Sequence, residues 1–241
     1  MTGAKQDPAP RPRAGEPIAI LGGTFDPVHY GHLRFAQAVR RALALPEIRL
    51  VPSAIPPHRA PAHASAADRV AMLDLAVRDV PGLVVDTREI DRGGRSYTVD
   101  TLEALRAEAV SRPLILLVGA DAFRGLPSWH RFREIFDLAH LVVVPRPGLA
   151  LEDGLPPALG AEWHARRITT PEGLRAAPAG SIYVQPVAPH PISSTQIRNA
   201  MANGDAKSVA ALVPPRVLAY IESHRLYSHP TGTDTRRTHA S

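Results

Sequence analysis

A chain of 241 residues, 44% hydrophobic and 21% charged, carries enough apolar side chain for one large core or two smaller ones, in the balance of a soluble globular protein. It has no cysteine, which excludes a disulfide framework, thiolate zinc sites and cysteine nucleophiles. Its net charge of +5 is partly terminal: Lys5, Arg11 and Arg13 outweigh Asp7 and Glu16, and Arg236 and Arg237 outweigh Asp234, leaving +3 on a mixed-sign middle. With no Lys/Arg block and only 5% aromatic residues, that excess suits a nucleotide-sized anion better than a polynucleotide track.

The opening "MTGAKQDPAPRPRAGEP" lacks the apolar segment of a secretory signal, and the longest apolar runs, such as "LILLVGA", fall far short of a membrane span. A cytoplasmic protein is expected. Residues 1–15 are Pro/Ala/Arg-rich and residues 229–241 Thr/Ser/Arg-rich, so both are expected to be disordered tails around a single domain at 16–228.

Within that span, short β-like runs alternate with helical patterns. "IAILGG" (Ile18–Gly23) precedes an amphipathic stretch from about Tyr30 to Leu45. "IRLVPS" (Ile48–Ser53) leads through a Pro/His/Ala connector to the helical "AADRVAMLDLAVRD". "LVVDTREI" (Leu83–Ile90) reads as a strand before "YTVDTLEALRAEAV", whose apolar residues recur at helical spacing. "LILLVGA" (Leu114–Ala120) and "HLVVVPR" (His140–Arg146) are continuous apolar runs, as expected of parallel strands covered on both faces. The Pro/Gly-rich stretch from Pro147 to about Gly180 breaks the pattern and supports no assignment. "SIYVQPV" (Ser181–Val187) reads as a last strand, followed by "SSTQIRNAMANG", with a Ser/Thr start and a Gly stop, and by a helix from near Pro214. The alternation predicts an α/β fold, a doubly wound parallel sheet of Rossmann-like type with a small C-terminal helical region. Ligands of such sheets sit at the carboxyl ends of the strands.

Two stretches carry chemistry. In "GGTFDPVHYGH", Gly22 and Gly23 at a strand end let a ligand approach the backbone, followed by Thr24, Phe25 and an Asp26-Pro27 pair. Gly31 and His32 open a helix whose unpaired amides and dipole favour an anion. His29 and His32, three apart, could face one pocket and donate to phosphate oxygens, more strongly if protonated. The bland reading is two surface histidines near a helix start; a metal pair lacks a third ligand at zinc-type spacing. In "ISSTQIR", Ile192 precedes Ser193, Ser194 and Thr195, which would serve as a simple N-cap cluster, but Arg198 lies one turn further, where its guanidinium could join an anion held at the helix start.

Together, "GGTFDPVHYGH" and the later "ISSTQIR" resemble the paired signatures of the HxGH nucleotidyltransferase superfamily. The resemblance implies that the first loop, His29 and His32 contact a nucleotide triphosphate while Ile192, Ser193, Ser194, Thr195 and Arg198 hold its outgoing phosphates, with His29, His32 and Arg198 catalytic. Three further stretches resemble the bacterial nicotinate mononucleotide adenylyltransferases: "IPPHRAP" (Ile55–Pro61), "DRGGRSYTVDTLEALR" (Asp91–Arg106) and "LVGADAFRGLPSWHRFREIFDLAHLVVVPRPG" (Leu117–Gly148). By that resemblance Tyr97, Thr98, Trp129 and Arg146 serve the mononucleotide, and Asp121 binds ribose hydroxyls of ATP. Each keeps a plainer alternative: Trp129 as a core anchor, Asp121 as a helix cap, Arg146 as a loop border.

The implied reaction joins ATP to nicotinate mononucleotide, giving the deamido dinucleotide and pyrophosphate, with Mg²⁺ carried on the ATP phosphates and no metal held by the protein itself. The implied partners are those two small molecules, with neither nucleic acid nor membrane. A transferase of the same superfamily acting on nicotinamide mononucleotide or another phosphorylated acceptor is the nearest rival, and a non-catalytic nucleic-acid-binding protein a remote one. The sequence sets neither the pyridine preference nor the oligomeric state.

Overall fold

A computed structural model describes residues 15–57, 61–145, 151–188 and 190–228. In chain order the elements are β1 (Ile18–Gly23), α1 (Tyr30–Ala42), β2 (Ile48–Pro52), α2 (Ala66–Val77), β3 (Leu83–Val85), α3 (Arg88–Arg92), α4 (Thr98–Glu108), β4 (Leu114–Gly119), α5 (Ala120–Arg124), α6 (Glu134–Leu138), β5 (His140–Val144), α7 (Pro157–Arg166), β6 (Arg167–Ile168), α8 (Gly173–Ala176), β7 (Ile182–Val184), α9 (Ser194–Ala202), α10 (Ala206–Val209) and α11 (Pro215–Ser223).

The strands form one sheet in the order β3-β2-β1-β4-β5-β7-β6, with every pairing parallel. The apolar runs are continuous because alternate residues feed opposite cores. Along β4, Leu114, Leu116 and Val118 face one core while Ile115 and Leu117 face the other; along β5, Leu141 and Val143 oppose Val142 and Val144. Helices α1, α2, α9 and α11 cover the first face, and α4, α5, α6 and α7 the second. The chain winds outward from β1 to β3, then returns to place β4 on the other flank of β1. The β1/β4 boundary is therefore the switch point where a doubly wound sheet opens a crevice.

Three sequence expectations change. The strand expected over Leu83–Ile90 stops at Val85. Asp86 accepts from the Arg88 amide at 3.2 Å and from its guanidinium at 2.9 Å, which turns the chain into α3 instead. Only Ile182–Val184 of the Ser181–Val187 run pairs in the sheet, and β7 lies inside the edge formed by β6. The stretch after residue 150 is ordered into α7, β6 and α8, with Leu159, Trp163 and Leu174 buried. The tails and Arg146 lie outside the described residues, as do His58 and Arg59 of "IPPHRAP". Among the described residues no helix is long and apolar enough to cross a membrane.

Candidate active site

Two cavities meet in the crevice at the carboxyl ends of β1 and β4. The larger, about 1020 Å³, is lined by Gly22, Gly23, Thr24, Phe25, His29, His32 and Asp121 on one side and by Ile192, Ser193, Ser194, Thr195 and Arg198 on the other. The smaller, about 370 Å³, is lined by Tyr97, Thr98 and Trp129 together with Glu89, Ser96 and Thr101. Gly22, Gly23, Thr24, Gly119 and Asp121 wall both. The structure thus gathers every sequence-predicted site residue it describes into two adjoining spaces.

The first signature is built tightly. A Cβ on Gly23 would meet the Phe25 ring at 3.0 Å, so glycine there lets Phe25, in the left-handed region at φ 51°, fold under the loop. The Phe25 ring meets the edge of His32 at 5.0 Å between centroids, and His29 stacks on His32 at 3.7 Å and 24°. His29 is 4% exposed, and burial pushes its pKa down to about 4, so near neutral pH the ring is uncharged. This corrects the picture of a surface histidine ready to protonate. Its Nδ1 is buried with no hydrogen-bond partner in the protein, an acceptor or donor held in reserve at the cavity wall. The His29 amide donates to Nδ1 of His32 at 3.3 Å, so a neutral His32 carries its proton on Nε2.

The second signature docks directly on the first. Ser193 caps α9, accepting from the Gln196 amide at 3.2 Å, so the plain capping role holds for this residue. Ser194 donates to the Pro27 carbonyl at 3.0 Å across 167 residues of chain. Arg198 donates through Nη1 to the Asp26 carbonyl at 2.8 Å and through Nη2 to Thr195 Oγ1 at 3.2 Å. The starts of α1 and α9 both border the larger cavity. The Tyr30 and His32 amides donate to the Leu212 and His29 carbonyls and the Gln196 amide to Ser193, so the helix-terminal amides left to face a ligand are those of Gly31, Ser194 and Thr195.

The smaller cavity is bordered by the start of α4, with Tyr97 as its N-cap residue and Thr98 as its first. The Tyr97 ring lies 4.4 Å from that of His130, and Trp129 is half-buried, anchored on the second core while it lines the cavity. It thus packs as a core anchor and also faces the cavity. Asp121 is the second residue of α5, whose N-cap is Gly119, so helix capping is not its role. Burial raises the Glu89 pKa, and the Thr101 hydroxyl donates to its carboxylate at 2.7 Å.

Sequence reasoning passed over Arg69, which is 1% exposed and donates to the Thr24 carbonyl at 2.9 Å and the Ser53 carbonyl at 2.7 Å. It ties the loops after β1 and β2 together beneath the site. A signal was present: Arg69, Met72, Leu73 and Ala76 form the buried stripe of α2. Asp26, noticed only as half of a turn dipeptide, accepts from the His63 and Ala64 amides at 2.7 and 3.0 Å and from Tyr227 at 2.8 Å. Among the described residues, no cluster of three or more His, Asp or Glu is arranged to hold a metal ion.

The cytidylyltransferase-like family matches residues 20–200 of this chain. The chain is 50% identical over 217 residues to a probable nicotinate-nucleotide adenylyltransferase of Pseudomonas fluorescens, covering 90% of this chain and 99% of that protein. It is 47% identical to the equivalently named protein of Halorhodospira halophila, over 88% of this chain and 96% of that one. Among solved structures, the Plasmodium falciparum nicotinic acid mononucleotide adenylyltransferase complexed with NaAD superposes with a TM-score of 0.65 at 16% identity, over 88% of this chain and 97% of that one, a likeness of fold. With half its residues identical across nearly the full length of such relatives, the chain belongs to the nicotinate-nucleotide adenylyltransferases of the cytidylyltransferase-like family.

Proposed function

We infer that the chain transfers the adenylyl group of ATP to nicotinate mononucleotide, giving nicotinate adenine dinucleotide and pyrophosphate. The observation that carries this reading is the pair of adjoining cavities: an N–H-rich one between the two signatures for ATP, and an aromatic one at Tyr97 and Trp129 for the pyridine nucleotide. The glycines and Asp121 common to both are where the two substrates would meet. Structures of a nicotinic acid mononucleotide adenylyltransferase with NaAD and with APC share the fold.

The chemistry asks little of side-chain bases. The second pKa of a phosphate monoester is about 6, so the attacking phosphate oxygen is already ionised near neutral pH. The protein must align that oxygen with the α-phosphorus and offset charge growing on the α-phosphate and on the departing pyrophosphate. His32 Nε2–H and the Gly31 amide serve the α-phosphate, while the Thr195 hydroxyl, Arg198 and the amides of Ser194 and Thr195 hold the β- and γ-phosphates. His29 enters neutral and gives a hydrogen bond rather than a full charge. Besides Asp26 and Asp121, the polar groups lining the larger cavity are mostly N–H groups and hydroxyls, which suit phosphate oxygens; a Mg²⁺ carried on the ATP phosphates would offset part of their charge. A reaction that consumes ATP supports a cytoplasmic location.

The test is pyrophosphate release from ATP with a panel of phosphorylated acceptors, including nicotinate and nicotinamide mononucleotides and phosphopantetheine. The expected result is the highest kcat/KM with nicotinate mononucleotide. A higher value with any other acceptor, or no release at all, overturns the assignment.

A further inference from the structure

Asp26 is 5% exposed and sits at the junction of four chain segments. Its Oδ2 accepts from the His63 amide, and its Oδ1 accepts from the Ala64 amide and from the hydroxyl of Tyr227, 201 residues away. The Arg198 guanidinium stands 4.0 Å from Oδ2, at the outer limit of an ion pair and beyond hydrogen-bond reach, and is held instead by the Asp26 carbonyl and Thr195. With fewer donors of its own the carboxylate would draw that guanidinium in; three donors engage its oxygens and leave Arg198 turned to the larger cavity. Tyr227 reaches Asp26 because the chain reverses after α11, with Arg225 and Tyr227 in the left-handed region at φ 51° and 62°. Burial and the neighbouring Asp26 raise the phenol's pKa, so the hydroxyl remains a donor throughout the neutral range.

We propose that Tyr227 is a positioning residue of the triphosphate site: by donating to Asp26 it keeps Arg198 from closing on that carboxylate and holds the guanidinium out for the ATP phosphates. The proposal rests on the adenylyltransferase reading. It gives the turn after α11 a part in ATP binding, although none of its residues lines the larger cavity.

The test is a double-mutant cycle on ATP affinity, measured by calorimetry with ATP and Mg²⁺ on the full chain, for wild type, Tyr227→Phe, Arg198→Ala and the double variant. Phenylalanine keeps the ring that packs on the first core and deletes only the hydroxyl. Tyr227→Phe should weaken ATP binding about fivefold in the wild-type background and less than about twofold once Arg198 is gone. In steady state the KM for ATP should rise while the KM for nicotinate mononucleotide stays within about twofold. An equal loss in both backgrounds, no loss in either, or a matching rise in both KM values would each overturn the proposal, because a merely structural hydroxyl would not couple to Arg198. If the wild-type chain binds no ATP, the adenylyltransferase reading itself fails, which is a separate outcome from uncoupled residues in a chain that binds it.

Discussion

Replacing Gly31 with alanine adds one methyl group at the second position of α1, and the surroundings define where it goes. A Cβ there would lie 2.8 Å from Nδ1 and 2.9 Å from Cε1 of His29, with the Ile192 Cβ at 3.4 Å on the other flank. Ordinary contact begins near 3.4 Å, so the His29 ring must retreat by about 0.6 Å. It has little room, being buried with its face on His32 at 3.7 Å, and the displacement passes to His32. Overpacking of this kind costs about 1–3 kcal/mol, while alanine in place of glycine returns up to about 1 kcal/mol of helix propensity. The net loss of about 0–3 kcal/mol lowers Tm by no more than about 12 °C in a domain of this size. A donor moved by half an ångström from a developing charge costs far more in rate, and kcat for pyrophosphate release should fall roughly 10- to 100-fold. Gly22→Ala is the matched control, since a Cβ there meets nothing within 4 Å and its stability should be unchanged. Wild-type kcat in Gly31→Ala, with a folded melt, would refute the claim that the stacked imidazole pair must sit where it does.

His32→Ala should lose about 10²- to 10³-fold in kcat with a smaller change in KM for ATP, because its Nε2–H matters most as charge develops; an unchanged turnover number would sink that role. His29 titrates near 4 when folded against 6.5 when unfolded, so its neutral form contributes stability fully above pH 6.5 and loses it as the pH falls toward 4. Denaturant titrations at pH 7.5 and 5.0 should show a stability drop smaller by about 2 kcal/mol in His29→Gln than in wild type, and parallel behaviour would refute the buried neutral state. Arg69→Met keeps the bulk but strips donors from the Thr24 and Ser53 carbonyls, and should cost about 2–4 kcal/mol, read as a Tm lowered by roughly 5–15 °C. A melt within 2 °C or so of wild type would show that water replaces the guanidinium.

The sheet was legible wherever burial on both faces left a continuous apolar run. Ile18–Gly23 is matched residue for residue, and the runs from Leu114 and His140 overshoot by one and two. It was less legible where local polar chemistry ends a strand. Nothing in "LVVDTREI" says on its own that Asp86 will turn back on Arg88, because Val84, Val85 and Ile90 fit a strand equally well. The segment after residue 150 failed for the opposite reason: its elements are short, and Leu159 and Trp163, one turn apart, are a single pair too few to mark a helix among the prolines and glycines around them. The two signatures could be read because each is contiguous and packs its glycines, histidines or hydroxyls into about ten residues.

What joins those signatures was hidden because it is made of charge held against backbone, and neither residue type nor spacing encodes which carbonyl an arginine will find. Arg69 bonds to Thr24 and Ser53, Arg198 to Asp26, Arg106 to Leu138 and Pro178, and Arg175 to Leu43. A good part of the basic excess that first suggested an anionic partner is therefore engaged in holding loop carbonyls of this fold. The excess charge counted from the sequence thus overstates what faces a ligand, and the anion-binding capacity of the crevice rests more on Arg198 and oriented N–H groups than on net charge. The same reasoning explains His29. Its residue type suggests a cation, but it is buried at the start of α1 with its face on His32, and burial alone makes it neutral. A site assembled this way discriminates through the placement of donors more than through total charge, which is why displacing one by half an ångström at Gly31 should cost more activity than stability.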